Sequence, residues 1–192
     1  MSPQPVRTEI DRARAVRVAL RRLVAARGFH GASMSAVAKE ARVATGTAYV
    51  HYASKQELVV AAYVETKRAL GRAATHSLDT DAPPRTRFLS IWLAAHAFIT
   101  ANADDGRFLI QLEHSPYYEE AHNAVLAQGD DPLLTAASAP DLAAHLAPLP
   151  DIVLWELGLA PAVRLAAAGA PLTKAQLHAA AEGCWRAIST AP

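Results

Sequence analysis

The sequence predicts an all-α protein of about nine helices. Three observations support this fold class. Alanine and leucine dominate a chain that is 52% hydrophobic and holds only nine glycines among its 192 residues. Apolar residues recur at steps of three and four along most of the chain, and helix-capping residues stand at the starts of several such segments. No segment is a convincing strand.

The first predicted helix is amphipathic and basic. It follows a short extended arm at Pro3 and Pro5, its apolar residues recur from Val6 to Val24, and seven arginines are interleaved between Arg7 and Arg27. Gly28 should end the helix directly after a basic residue, as is common at helix C-termini.

Two short helices are predicted next. Ser33 can cap the first of them, which runs through Ala41, because its side chain accepts hydrogen bonds from N–H groups that have no helical partner. A tight break at 42–44 leads to the second, from about Thr45 to Tyr52. Two short helices joined by three residues behind a basic helix have the outline of a helix-turn-helix.

A long helix should begin at a capping box, Ser54 to Glu57, and continue to about Thr75. A loop at 79–84 then separates it from three further helices. These are predicted over 85–101, 104–114 and 117–126. We expect two domains, a head at 1–54 and a second domain at 55–192 that starts with a connecting helix at 55–76.

The last third of the chain is predicted to begin with an irregular, mobile connector at 129–150, where four prolines occur. The helix over 151–168 is apolar nearly all round, so both of its faces must be covered, and Pro161 should kink it. A second capping box, Thr173 to Gln176, opens the final helix.

Charge is unevenly distributed along the chain. Residues 1–72 hold 13 Lys/Arg and 5 Asp/Glu, whereas residues 73–192 hold 6 and 13. A basic head favours a polyanionic partner, although a solvated helix face has the same composition. With a single cysteine, no apolar run of membrane-spanning length and no signal-peptide core, we expect a cytoplasmic protein without a membrane partner.

One string of residues in the head carries a family resemblance. It consists of Gly28-Phe29, Ser33-Met34, Val37-Ala38, Glu40-Ala41, Val43, Gly46-Thr47, Tyr49, His51-Tyr52, Ser54-Lys55 and Glu57-Leu58. At this spacing, residues 8–60 resemble the DNA-binding domain of the tetracycline-repressor (TetR/AcrR-like) family. The resemblance implies a homodimeric transcriptional regulator that binds a palindromic double-stranded operator and a small-molecule effector.

The second short helix would then display the DNA-reading side chains. Gly46 allows close approach to the phosphate backbone, hydroxyl and imidazole groups can hydrogen-bond phosphates or base edges, and Val50 can touch a thymine methyl. Lys55, in the first turn of the long helix, favours a phosphate. The resemblance implies base contacts by Thr45, Thr47 and Val50 and phosphate contacts by Tyr49, His51 and Lys55. Ser33, Arg42 and Gly46 complete the candidate DNA-binding set.

Some positions depart from the family pattern. Arg42 stands where the family usually has glycine, Ala44 where it has serine and Ala48 where it has a larger aliphatic residue. Arg42 either strains the turn or adds a phosphate contact. Loss of a serine cap should weaken the recognition helix by about 1 kcal/mol. Tyr52 is interpreted as a core residue.

The middle helices would enclose the effector. Its candidate wall residues are mostly apolar with a polar edge, as in small-molecule pockets. They are Trp92, His96, Phe108, Leu112, Glu113, Tyr117, Tyr118, His122 and Trp155. Glu113 among aromatic rings would favour a cationic ligand. We expect the effector to release DNA, with the long helix as the lever between the domains.

Dimerisation is expected because two recognition helices related by a dyad read a palindrome. The helices at 151–168 and 173–189 are the expected dimer surface, with ordinary core packing as the alternative. The candidate interface residues are Leu154, Leu157, Arg164, Leu177 and Trp185.

Other function classes have less support. The motifs of hydrolases, zinc proteases, phosphate-binding loops and dinucleotide folds are missing, so neither an enzyme nor a cofactor is expected. A metal-responsive regulator of the same fold is the main alternative, through Glu113, His114, Glu119 and His122. A sequence-nonspecific DNA-binding protein is a weaker one, because such a protein would hardly need an acidic domain of pocket-forming size.

Overall fold

The computed structural model is all-α, which confirms the predicted fold class. It describes residues 4–190, and side chains from residue 9 onward. Twelve α-helices and one 3-10 turn occur in this part of the chain, where the only β-pairing is an isolated bridge between Leu146 and Ser189. The predicted number of about nine helices was too low. Two short helices lie within 129–150, which was expected to be irregular, and the helix expected over 151–168 is divided in two.

The helices fall into two compact units. The first comprises Met1–Thr66 and Arg107–Ala127, and the second comprises Lys67–Gly106 and Gln128–Pro192. The first therefore includes chain well beyond the head at 1–54. The helices are α1 Gln4–Arg27, α2 Met34–Glu40, α3 Thr45–His51, α4 Lys55–Thr75, α5 Pro84–Ala101, α6 Ala103–Glu113, α7 Tyr118–Gln128, α8 Pro132–Ala137, α9 Pro140–Ala143, α10 Asp151–Leu157, α11 Ala160–Ala167 and α12 Lys174–Ile188.

Helix α1 begins earlier than predicted. The expected extended arm included Pro5, but this residue lies in the first turn of α1, where proline is tolerated because its missing N–H would have had no helical partner. Pro3 lies outside the described residues. Gly28 ends the helix with a φ of 70°, a left-handed conformation that glycine adopts without a steric penalty.

The head packs α1 against α2 and α3, and α2 against α3. Its core is built from aliphatic side chains that α1, α2 and α3 present to one another. The buried members include Val16, Leu20, Val24, Val37, Ala38 and Ala48. This burial is the main stabilising contribution to the two short helices α2 and α3, since isolated seven-residue helices are marginal in water.

The predicted caps are largely confirmed. The Ser33 hydroxyl accepts a hydrogen bond from the Ala36 N–H at 3.2 Å. Before α4, Ser54 Oγ accepts from the Glu57 N–H at 3.1 Å, but the Glu57 carboxylate accepts from the N–H of Ala53 rather than that of Ser54.

The segment at 129–150 is more ordered than the predicted mobile connector. It contains α8 and α9, each of which starts with a proline in its first turn. Asp131 caps α8 by accepting from the Leu133 N–H at 2.8 Å. Arg87 is buried on α5 and donates to Thr80 O at 2.8 Å and to Asp141 Oδ1 at 3.0 Å. These hydrogen bonds explain why the segment at 129–150 is ordered, although its four prolines suggested an irregular chain.

The helix predicted over 151–168 is two helices, α10 and α11. The break lies at Gly158 and Leu159, just before Pro161, instead of being a kink at Pro161 itself. Pro161 lacks the N–H that a continuous helix would pair with Leu157, so it fits only in the first turn of a new helix. A β-carbon at Gly158 would lie 2.5 Å from Leu154 O, so the break also requires a glycine.

The second unit is organised around α5, which packs against α11 and α12. Trp92, Ala95 and Ile99 are fully buried on α5. Phe88 on the same helix packs against Trp185 of α12 with ring centroids 5.5 Å apart. The predicted capping box at the start of α12 is present in full, with the Thr173 and Gln176 side chains each bonded to the other residue's backbone N–H.

Candidate nucleic-acid interface

Helix α3 presents one side to the core of the head and the other to solvent. Ala48 is fully buried, whereas the side chains of Tyr49 and Val50 are 51% and 76% exposed. Two large side chains with apolar surface, Tyr49 and Val50, are therefore adjacent and exposed to solvent on this side of the helix. Thr45 is also exposed, and Thr47 and His51 are partly exposed.

Gly46 is exposed in the first turn of α3. A β-carbon at this position would meet nothing within 4 Å, and its φ lies outside the left-handed region. Neither packing nor backbone conformation within the chain therefore requires glycine here. A partner that approaches the helix closely would require it.

The turn before α3 contains a strained residue. Arg42 has a φ of 57°, the only positive φ of a non-glycine residue in the part of the chain that the structure describes. The Val43 N–H donates to Ala38 O at 3.0 Å, which closes a C-terminal cap of the kind that favours glycine in the left-handed position. Ala44 occupies the N-cap of α3 and supplies no side-chain hydrogen bond.

Tyr52 fixes the end of α3 to α1. It is buried, as predicted, and its hydroxyl accepts from Arg17 Nη1 at 2.5 Å and donates to Ala13 O at 3.3 Å. Arg17 also pairs with Glu65 of α4, and Arg21 Nη1 lies 3.3 Å from the same carboxylate. Burial raises the pKa of Tyr52, so its hydroxyl stays protonated and able to donate. This network holds α1, α3 and α4 in fixed positions.

Lys55 is held by aromatic side chains. Its ammonium group donates to Phe29 O and lies 5.9 Å from the ring centroid of Phe29 and 5.7 Å from that of Tyr117. The two rings are themselves 5.1 Å apart. Burial lowers the pKa of Lys55. The Lys55 ammonium group, at the start of α4, is therefore held in position by Phe29 and by Tyr117, which directly precedes α7.

A groove of about 510 Å³ joins these groups. It is lined by residues from the 3-10 turn (Phe29–Gly31), the start of α2, α3, Lys55 and the chain before α7. Hydroxyl, imidazole and ammonium groups on its walls can donate hydrogen bonds to phosphate oxygens. Four of the predicted DNA-binding residues line it: Ser33, Thr45, Tyr49 and Lys55.

Tyr117 and Phe29 were not predicted as part of this surface. From the sequence, Tyr117 is expected in the effector wall, and Phe29 occurs only in the string that carries the family resemblance. Their contact with Lys55 joins residues 26 and 62 positions apart, so no local pattern could have revealed it.

The candidate effector residues lie in both compact units. In the first unit, Phe108 and Leu112 are fully buried, Phe108 packs on Phe29 at 6.2 Å, and the Tyr118 ring stacks on His122 at 5.4 Å. Glu113 is partly exposed. Tyr117 lines the groove described above.

In the second unit, Trp92 stacks on His96 with ring centroids 5.9 Å apart, and Lys67 Nζ lies 4.9 Å from the ring centroid of Trp155. Within the described part of the chain, the buried Trp92 Nε1 and His96 Nε2 have no nitrogen or oxygen hydrogen-bond partner, although the indole N–H interacts with the Cys184 sulfur, which is a weak acceptor. Burial lowers the pKa of His96, which favours a neutral ring.

The candidate dimer residues differ in exposure. Leu157 is 42% exposed, Leu154 and Leu177 are partly exposed, and Arg164 pairs with Glu156 at 2.6 Å. Trp185, in contrast, is buried against Phe88 within its own chain. Within residues 4–190, the structure shows no cluster of three or more His, Cys, Asp or Glu that could hold a metal ion.

Comparisons with known proteins agree with this architecture. The model of bacterial regulatory proteins of the tetR family matches residues 17–62, and the model of the tetracyclin repressor-like C-terminal domain matches residues 83–189. No curated protein matches the chain. Among the helices that the structure describes, none is long and apolar enough to cross a membrane.

Solved structures resemble the chain over nearly its whole length. A TetR-family transcriptional regulator from Haemophilus influenzae RD is 26% identical, with a TM-score of 0.77 and coverage of 95% of this chain and 99% of that one. A regulator from Marinobacter aquaeolei VT8 shares the fold at 20% identity and a TM-score of 0.78, covering 96% and 98%. Because the C-terminal family model alone spans more than half of the sequence, the chain belongs to the TetR family of transcriptional regulators.

Proposed function

We propose that this regulator binds a palindromic operator through α3 and represses transcription until a small hydrophobic or aromatic effector releases it. The observation that carries the DNA-binding part is the exposed side of α3. This side presents Gly46, the exposed Val50 and exposed hydroxyl groups, and the opposite side of the helix packs in the core of the head. A rigid helix with this surface suits the major groove.

The roles of individual residues follow from their chemistry and position. Thr45, Thr47 and Val50 would face base edges, since hydroxyl and methyl groups can read them. Tyr49, His51 and Ser33 would bond phosphates, and Lys55 would add a positive charge held in place by Phe29 and Tyr117. Gly46 would lie against the sugar-phosphate backbone.

The test is selection of bound sequences from a random duplex pool with purified protein. We expect a palindrome with half-sites roughly one helical turn apart. Val50→Ala should alter base preference at one position of each half-site, whereas Tyr49→Phe should weaken binding to all sequences alike, since it removes only a phosphate-bonding hydroxyl. Leu126→Ala is the control, because Leu126 is a comparably exposed aliphatic residue on α7. Failure to enrich any sequence would overturn the proposal.

The effector proposal rests on the stacked pair Trp92 and His96. Buried polar atoms without a partner cost free energy, so a ligand that bonds Trp92 Nε1 or His96 Nε2 and stacks on the rings would bind favourably. Helix α4 is continuous from Lys55 into the second unit and would carry the effect to the head. The measurement is operator release during titration with small aromatic compounds. A compound that tightened operator binding would contradict the proposal that the effector releases the protein from DNA.

A further inference from the structure

A second groove in the head carries an excess of positive charge. Its volume is about 750 Å³, and it lies between α1 and α2 on residues that do not line the groove beside Lys55. Five of its lining residues are cationic and two, Asp11 and Glu40, are acidic. The cationic residues are Arg14, Arg22, Arg27, Lys39 and Arg42.

These five cationic side chains do not pair with other described side chains. All five side chains are exposed, and the structure shows no ion pair or hydrogen bond from any of them to another described side chain. By contrast, the arginines on the other side of α1, Arg17 and Arg21, both pair with Glu65. Arg17 and Arg21 therefore stabilise the packing of α1 against α4, whereas the arginines of the groove are directed to solvent.

Arg42 adds an independent observation. Arg42 has a φ of 57°, which is strained for an arginine, and its side chain is exposed. The cap that ends α2 accounts for the left-handed conformation but not for an arginine in it, since glycine adopts this conformation without strain. Arg42 lies in the turn directly before α3, so whatever α3 binds comes close to it.

The spacing of the cations indicates the size of the partner. Arg14, Arg22 and Arg27 extend over 13 residues of α1, or about 20 Å at the helical rise. A single phosphate or nucleotide cannot reach charges so far apart. A polyanion with regularly repeated charges can, and duplex DNA carries a phosphate about every 3.4 Å along each strand.

We infer that the α1–α2 groove binds the phosphate backbone of DNA outside the base pairs that α3 reads. This inference extends the proposed operator binding to flanking DNA. The contact is independent of sequence, because the cations of the groove meet phosphates, which are the same at every base pair. It increases affinity for long duplexes and leaves operator preference to α3.

The experiment compares two charge-matched double variants on an arbitrary 40-base-pair duplex at several salt concentrations. Arg22→Gln with Arg27→Gln removes two groove cations, and Arg72→Gln with Arg186→Gln removes two exposed arginines elsewhere. The groove variant should lower the steepness of log affinity against log salt by about 2, at roughly one released counterion per phosphate contact. The control variant should not change it. Equal salt dependence in both variants would overturn the inference.

A third variant tests Arg42 without risk of unfolding. Arg42→Gly relieves the left-handed strain, so it should raise the melting temperature and still weaken duplex binding. Unchanged binding would remove Arg42 from the contact surface. Because the duplex is arbitrary, these measurements are independent of operator selection. A failed selection would overturn the proposed function alone, and an unchanged salt dependence would overturn the flanking contact alone.

Discussion

Gly46 is a glycine that the fold of the chain does not itself require. Glycine in a helix costs about 0.5–1 kcal/mol relative to alanine. At Gly46 nothing in the chain compensates for this cost, since the space for a β-carbon is open. The sequence suggested close approach of the DNA backbone as its role, and the structure removes packing within the chain as the alternative.

Gly46→Ala should therefore separate stability from binding. We expect the free energy of unfolding to rise by about 0.5–1 kcal/mol and operator affinity to fall. Gly183→Ala on α12 is the matched control, because a β-carbon there meets only Arg186 Nη2 at 3.9 Å, an ordinary contact. It should stabilise the protein similarly without changing affinity. Chemical denaturation and operator titration check both values, and undiminished affinity in Gly46→Ala would contradict the assigned role.

At the scale of elements, the boundaries of α2 and α3 were predictable because their signals are local. Ser33 is a cap that acts within three residues, and the break at 42–44 follows from the missing helical pattern. What anchors α3 was not predictable. Tyr52 reaches Arg17, which lies 35 positions earlier, and Arg17 reaches Glu65, 48 positions later. Such pairs depend on how helices pack, which no short window of sequence encodes.

The caps of α2 and α3 form a natural comparison. Ala44→Ser should stabilise the head by about 1 kcal/mol, because Ala44 has the extended conformation of an N-cap but no side-chain acceptor. Ser33→Ala should destabilise it by a similar amount, since it removes the acceptor for the Ala36 N–H. Urea denaturation of the free protein measures both. If Ala44→Ser were destabilised, a serine hydroxyl at this position would not reach the free N–H groups at the start of α3.

At the scale of the whole molecule, the family assignment implies a dimer, and α10 carries two large apolar side chains that its own chain leaves exposed. Ile152 and Leu157 are 57% and 42% exposed. Buried Trp185 instead belongs to the core of its own subunit. The dimer surface that we propose is therefore narrower than the two full helices expected from sequence.

Leu157→Glu should shift the protein from dimer to monomer, because two carboxylates would be buried at a surface related by a dyad. Leu126→Glu is the control, since Leu126 has similar exposure on α7. Sedimentation velocity gives the oligomeric state of each variant. If Leu157→Glu remained dimeric, the interface would lie elsewhere.

The sequence alone determined the all-α class, the helix-turn-helix and most helix boundaries before residue 129, because these depend on helical periodicity and on caps that act within three or four residues. It also determined the family, because the string from Gly28 to Leu58 is contiguous. Tertiary structure decided the order of the segment at 129–150, the aromatic contacts of Lys55 and the charged α1–α2 groove. Each of these depends on atoms that are distant in sequence and are brought together only when the helices pack.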